Sequence, residues 1–452
     1  MYAVTNPVDN TVVEKFDDIS DADLKAAVDR AAAEFVPWSS RTVADRAAIL
    51  LRAADLFEER TDELAAIITL EMGKRIAESR GEVGAFVDIT RYYASNAEKL
   101  TADELLDIEG GSASIQKHPI GVILGIMPWN YPYYQVARFA APNLVLGNTV
   151  LLKHASNCPR SSAAIEKVLH DAGVPADAYI NIYATNKQIE WVLADPRVQG
   201  VSLTGSERAG RAVAAIAGAN LKKTVLELGG SDPMIVLDSD DLEATIDIAA
   251  ESRMGNVGQA CNAPKRMIVL SDLYDDFVEG LTKRFAEYRP GDPFDESTTL
   301  APLSSRAAAE TVAEQVKTAV AEGATLHTGG ELIDGPGAYV QPAVLTDVKP
   351  GMAAYHDEVF GPVAIVFKVE NEDEAIRLAN DTPFGLGSSV FSADRERARR
   401  VGSRIDAGMV YVNQAGGSQA DLPFGGVKNS GIGRELGPLG MDEFANKKIV
   451  RH

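Results

Sequence analysis

A cysteine, a glutamate and an asparagine in this chain occupy settings that suit acyl chemistry. Cys261 lies in Gly258-Gln259-Ala260-Cys261-Asn262, after a helical run and before a strand-like one. A thiolate is a strong nucleophile and its acyl derivative stays hydrolysable, so it could carry an acyl group between two half-reactions. An isolated cysteine more often serves as a small buried hydrophobe. Cys158, in Asn157-Cys158-Pro159, keeps that reading because no polar apparatus surrounds it. Glu227 stands in Leu226-Glu227-Leu228-Gly229-Gly230, at the end of an apolar strand. Burial among leucines would raise its pKa toward the range of a general base, although a salt-bridged strand-end glutamate would read the same way. Asn130, in Pro128-Trp129-Asn130-Tyr131-Pro132, follows another strand-like run. Its side-chain N–H could meet a developing oxyanion beside the nucleophile's own backbone N–H. Between two prolines it suits a turn equally well.

These groups need a scaffold. The first hundred residues read as mainly helical: Ser20-x-x-Asp23 caps a helix with the apolar face Leu24, Val28, Ala31 and Phe35, and further helical patterns cover 41–58, 62–73 and 79–98. From about 112 short β-rich runs alternate with helical segments, at 122–127, 150–153, 179–183, 200–204, 224–228 and 234–237. Strands separated by helices imply parallel crossovers and a doubly wound α/β sheet. Runs at 266–270, 364–369, 388–391 and 409–412, with helices near 272–288, 304–322 and 372–380, predict a second α/β domain.

Composition narrows the function. A chain of 452 residues exceeds one core, so two or more domains are expected. A net charge of -21 repels phosphate backbones and anionic lipid, which argues against nucleic-acid or membrane-surface binding. The start, Met1-Tyr2-Ala3-Val4-Thr5-Asn6-Pro7, has no signal-peptide pattern, and no apolar run approaches the roughly 20 residues of a membrane span. With two cysteines there is no disulfide framework, and the expected location is cytoplasmic. The six histidines are scattered without metal-ligand spacing, so no metal site is expected.

Taken together, 128–132, Thr204-Gly205-Ser206, 226–230, 258–261, Glu358-Val359-Phe360-Gly361-Pro362 and Pro423-Phe424-Gly425-Gly426 resemble the aldehyde dehydrogenase superfamily, in order and nearly end to end. The resemblance implies a Rossmann-type cofactor domain (1–101 and 119–229), an α/β catalytic domain (230–438), and strands at 102–118 and 439–452 that build a homodimer or homotetramer. It implies that Cys261 attacks an aldehyde, Asn130 and the Cys261 amide hold the oxyanion, and Glu227 activates the water that hydrolyses the thioester. A CoA-acylating relative would share the cysteine but generally lack that glutamate. A thioesterase-like hydrolase would not need the nicotinamide contacts, and a non-catalytic homologue would not need the intact trio.

For the cofactor, Gly205-Ser206-x-x-x-Gly210 opens a helix and would favour a pyrophosphate. The resemblance adds Trp129, Thr204 and Leu228, with Glu358 on the nicotinamide ribose and Phe360 near the ring. In Leu151-Leu152-Lys153-His154-Ala155-Ser156, Lys153 matches the family lysine at the adenosine ribose. Ser156 stands where many NAD-preferring relatives carry a glutamate. A small neutral donor beside a lysine welcomes a 2′-phosphate, so NADP is expected, with NAD less preferred. Arg138 is the one charge in Tyr133-Tyr134-Gln135-Val136-Ala137-Arg138-Phe139 and reads as an isolated cation for a distal carboxylate. With 128–132 and 153–157 it resembles the succinate-semialdehyde dehydrogenases, which points to a C4 semialdehyde. Glutarate semialdehyde and aromatic or aliphatic aldehydes stay open. Some of that group place a second Arg where this chain has Gly255, so Arg253, Tyr131, Ser418 and Gln419 are further candidates for the substrate. Ala263 replaces a second cysteine that forms a regulatory disulfide in some relatives.

Overall fold

In the computed structural model, residues 1–451 are described; His452, the end of the expected terminal strand segment, lies outside them. The helical first hundred residues form as expected from their caps: Ser20 accepts from the Asp23 N–H to open Asp21–Ser39, and Thr42 accepts from Asp45 N–H to open Val43–Glu59. Thr61–Met72 and Ile76–Ser95 follow. One correction comes first in the chain. Tyr2–Asn6 pairs antiparallel with Thr11–Phe16. The second of these strands buries no residue, so its sequence carries no alternating apolar pattern to announce it.

Two large sheets carry the rest. The first has six strands in the order Gly431–Ile432, Lys223–Glu227, Val198–Thr204, Val122–Met127, Thr149–His154, Tyr179–Asn181. The chain starts at Val122–Met127, winds outward to Tyr179–Asn181, then returns to the other side of its starting strand at Val198–Thr204. That reversal opens a crevice beyond the carboxyl ends of Val122–Met127 and Val198–Thr204, the usual ligand site of a doubly wound sheet. Trp129 and Asn130 leave one of these strands, and Gly205 and Ser206 the other. The crossover helix Tyr134–Leu146 is buried at every position, which is why its sequence is apolar on all sides apart from Gln135, Arg138 and Asn143. Gly125 makes room for it, since a Cβ there would sit 2.3 Å from Phe139.

The second sheet runs Thr325–Thr328, Ala343–Thr346, Val363–Val369, Pro264–Leu270, Asp232–Val236, Ser389–Phe391, Tyr411–Val412. Its first pair is antiparallel and was not foreseen; the exposed residues of Thr325–Thr328 gave no apolar alternation. The run at 409–412 contracts to two strand residues. The chain passes between the sheets through Gly229-Gly230, so Glu227 and Asp232 lie at the facing edges. Gly431–Ile432 returns from the second half and pairs antiparallel with Leu226 and Glu227. A third, three-stranded antiparallel sheet joins Ala445–Arg451, Gly111–Pro119 and Glu104–Ile108. Only part of 439–452 is strand, because the helix Gly437–Asp442 occupies its beginning.

Candidate active site

Cys261, Tyr131, Arg138 and Ser418 line one cleft of about 360 Å³, together with Lys74 and Phe424. Asn130, 5% exposed, reaches the same loop as the cysteine: its Nδ2 donates to the Gln259 carbonyl at 3.0 Å. An amide NH2 has two hydrogens, so one remains for an oxyanion. The backbone before the nucleophile is tight. Asn256 and Val257 both hold positive φ, at 49° and 54°, a conformation costly for a β-branched residue. The Asn256 side chain holds the turn by donating to the carbonyls of Asn130 (2.9 Å) and Gln259 (3.2 Å).

Burial dominates the titrations. It pushes the Cys261 thiol up to about 12, against the opposing pull of Arg138 and Lys265. Burial likewise holds the Glu227 carboxyl well above the usual carboxylate range, with Arg138 opposing. Glu227 is 2% exposed and neither carboxyl oxygen has a hydrogen-bond partner within the protein. A buried carboxyl with two unmet acceptors is ready for a water. Its place is fixed by glycine: at Gly425 (φ +148°) a Cβ would come 2.6 Å from Glu227 Oε1.

The expected cofactor residues lie along the crevice. Trp129 and Phe360 meet edge to face, ring centroids 5.8 Å apart. Glu358 is held from two sides: its Oε1 accepts from the Gly230 N–H (3.2 Å) and pairs with Lys265 (3.1 Å). Lys153 is next to last in its strand, with no ion pair among the described residues, its pKa lowered by desolvation, and faces the Tyr2 ring at 5.9 Å. Ser156 is exposed and its carbonyl accepts from the Ala3 N–H at 2.9 Å, so the N-terminal hairpin pins this loop. Thr204 has a buried hydroxyl without a partner. An unpaired lysine, an exposed serine and an orphaned hydroxyl along one crevice fit a dinucleotide with a 2′-phosphate. The glycine turn needs two amendments. The Gly205 N–H already donates to the Glu227 carbonyl (2.9 Å), so an anion there meets Ser206 and the helix Glu207–Ala219 instead. Gly210 serves packing, since a Cβ would sit 2.6 Å from Leu228.

The substrate residues need a larger correction. Arg138 is not an isolated cation. It is 1% exposed, its Nε donates to Glu435 Oε2 at 2.6 Å, and it lies over the Phe424 ring at 4.5 Å and the Tyr134 ring at 5.0 Å. Nη2 lies 2.5 Å from the same Glu435 oxygen, and Nη1 donates to the Tyr134 hydroxyl at 3.3 Å. Arg253 cannot serve the substrate. Fully buried, it donates to the carbonyls of Val363, Gly258, Val359 and Gly361. Sequence reasoning missed Glu435, Lys265 and the buried Lys74–Glu82 pair, in which Lys74 also donates to the Asn130 carbonyl at 2.8 Å. Charges at the start of an apolar strand, as at Lys265, were the available signal.

Comparison with known proteins fits this geometry. The model of the aldehyde dehydrogenase family matches residues 1–450. The chain belongs to that family. Among curated aldehyde dehydrogenases, the succinate-semialdehyde dehydrogenase [NADP(+)] of Deinococcus radiodurans is 54% identical, covering 100% of this chain and 94% of that protein. One from Mycobacterium tuberculosis is 46% identical, covering 99% of each. The aldehyde dehydrogenase fold is equally plain: the crystal structure of succinic semialdehyde dehydrogenase from Streptococcus pyogenes with NADP+ superposes with a TM-score of 0.98 at 42% identity, over 100% of this chain and 99% of that one. Among the described residues, no helix is long and apolar enough to cross a membrane, and no group of three or more His, Cys, Asp or Glu is placed to hold a metal ion.

Proposed function

We propose that this chain oxidises succinic semialdehyde to succinate with NADP+, through a thioester on Cys261. The observation that carries the substrate is Arg138, a guanidinium in the wall of the cleft that Cys261 opens into, whose Nη1 spends only one of its two N–H groups, on the Tyr134 hydroxyl at 3.3 Å. The remaining N–H suits a distal carboxylate, and Tyr131 and Ser418 share the wall. The relatives named NADP-dependent succinate-semialdehyde dehydrogenase support the same reading.

In the mechanism the Cys261 thiol gives up its proton to solvent, the sulfur bonds the aldehyde carbon, and the carbonyl oxygen becomes an oxyanion met by the free Asn130 N–H and the Cys261 backbone N–H. Bound NADP+ would supply the acceptor for the hydride given up by that carbon, after which Cys261 holds a thioester. Lys153, Ser156, Thr204, Ser206, Glu358, Trp129, Leu228 and Phe360 would hold the NADP+. Glu227 then takes a proton from water; the hydroxide oxygen bonds the acyl carbon, the C–S bond breaks, and the carboxylic acid leaves. The presence of Glu227 favours water over CoA as acceptor.

Replacing Arg138 with alanine should raise KM for succinic semialdehyde about 100-fold, the worth of charge-assisted contacts, and KM for butanal far less. Equal changes for both aldehydes would take Arg138 out of carboxylate recognition. Ser156→Glu should shift the ratio of kcat/KM for NADP+ over NAD+ toward NAD+ by about 10- to 100-fold, through repulsion of the 2′-phosphate. A wild-type enzyme that strongly prefers NAD+ would contradict the part given to Lys153 and Ser156. The three-stranded sheet leaves Leu105 81% and Ile449 61% exposed on strands, and we infer that a second copy covers them in a dimer or tetramer.

A further inference from the structure

Among the described residues, Lys265 is the one charged group that touches both the nucleophile's backbone and the carboxylate assigned to the cofactor. It stands second in the strand Pro264–Leu270 and its side chain is 2% exposed. Its ammonium donates to the Ala260 carbonyl at 2.9 Å and the Cys261 carbonyl at 2.9 Å, and pairs with Glu358 Oε1 at 3.1 Å. Two of the ammonium's three N–H groups are donated to these carbonyls and its charge is paired with Glu358, so its orientation is restricted. The surroundings leave little slack. A Cβ at Gly230 would lie 2.3 Å from the Cys261 carbonyl oxygen, and one at Gly229 would lie 2.6 Å from Glu358 Oε2. Cys261 O and Glu358 are therefore pressed against the same crossing between the sheets.

We propose that Lys265 is a positioning residue, whose ammonium fixes the Cys261 backbone and the Glu358 carboxylate relative to each other so that the thiol and the nicotinamide end of the cofactor meet in register. The inference rests on the reading of Cys261 and Glu358 given above. A second consequence is electrostatic. The groups acting on the Cys261 thiol are Arg138 and Lys265, which favour its ionisation, and Glu358 and Glu227, which oppose it. Tyr131 and Tyr134 are the other titratable groups coupled to it. Lys265 itself faces Asp232 as well as Glu358; burial pushes the Asp232 carboxyl up to about 7 against the pull of Lys265.

The test uses the full-length enzyme and two replacements. Lys265→Met removes charge and donors, while Lys265→Arg keeps the charge but presents a planar fork that cannot reproduce a three-way contact. The readouts are kcat, KM for NADP+, and the pH midpoint of Cys261 alkylation by iodoacetamide followed by mass spectrometry; Cys158 is buried and distinguishable by mass. In Lys265→Met we expect kcat to fall at least about tenfold from misplacement alone, with KM for NADP+ raised and the alkylation midpoint moved to higher pH. Lys265→Arg should return the midpoint toward that of the parent yet leave kcat low. Native kcat and KM in Lys265→Met would overturn the proposal, and so would full recovery of kcat in Lys265→Arg, which would make charge sufficient. Should Lys265→Met not fold, Lys265→Gln carries the same readouts without charge. Activity persisting in Cys261→Ala would instead overturn the thioester reading, so the two failures are separate results.

Discussion

Cys261→Ala is expected to abolish aldehyde oxidation, with kcat down by at least about 10⁴-fold, while NADP+ binding and thermal stability stay close to those of the parent. The size follows from the loss of the bond-forming atom; no other thiol lines the cleft among the described residues. Cys158, the other thiol, is buried and its ionisation is driven well above the ordinary range, so it cannot substitute. The substitution is small, at a site where the side chain is only partly enclosed, and so little core packing is lost. Stopped-flow absorbance for NADPH, with cofactor titration as the control for folding, makes the comparison. NADPH formation at the parental rate would remove the covalent mechanism altogether.

Glu227→Gln should separate the two half-reactions. Cys261 still forms the thioester, so one equivalent of NADPH per site appears in a burst. The following steady state should slow by about 10²- to 10⁴-fold, the usual worth of a general base. The pH dependence adds a sign. A base must be deprotonated to act, and burial holds this carboxyl well above its usual range. Deacylation in the parent therefore rises as pH climbs through that raised pKa and falls below it. Glutamine at 227 should flatten this limb. A variant with no burst but unchanged pH dependence would place Glu227 in the first half-reaction instead.

Much of this was legible in the residues. The parallel strands announced themselves because both their faces are buried, which writes continuous apolar runs such as Val122–Met127. The helix caps at Ser20 and Thr42 were equally local. What escaped was non-local. The hairpin at the N-terminus is held by Ala3 donating to Ser156 and by Tyr2 donating to the Ala184 carbonyl, contacts more than 150 residues apart in sequence that no window can see. Arg138 looked solitary because its partner, Glu435, lies at the far end of the chain. Lys265 and Arg253 both stand close to Cys261 in the sequence, and only the fold distinguishes a lysine bridging two functional groups from an arginine absorbed by four backbone carbonyls. The same limit applies to Gly205, whose N–H is taken by a neighbouring strand.

The short strand Gly431–Ile432 has a kinetic corollary. It zips a segment from the far half of the chain onto Leu226 and Glu227, and at Gly431 (φ +135°) even a methyl group would collide with the Leu226 carbonyl at 1.8 Å. A rigid gaping of the two halves, like a clamshell, would have to tear this stitch at the base itself. Coenzyme turnover should thus proceed by local swinging of side chains and of the ring itself, with the body of the enzyme staying shut from one cycle to the next.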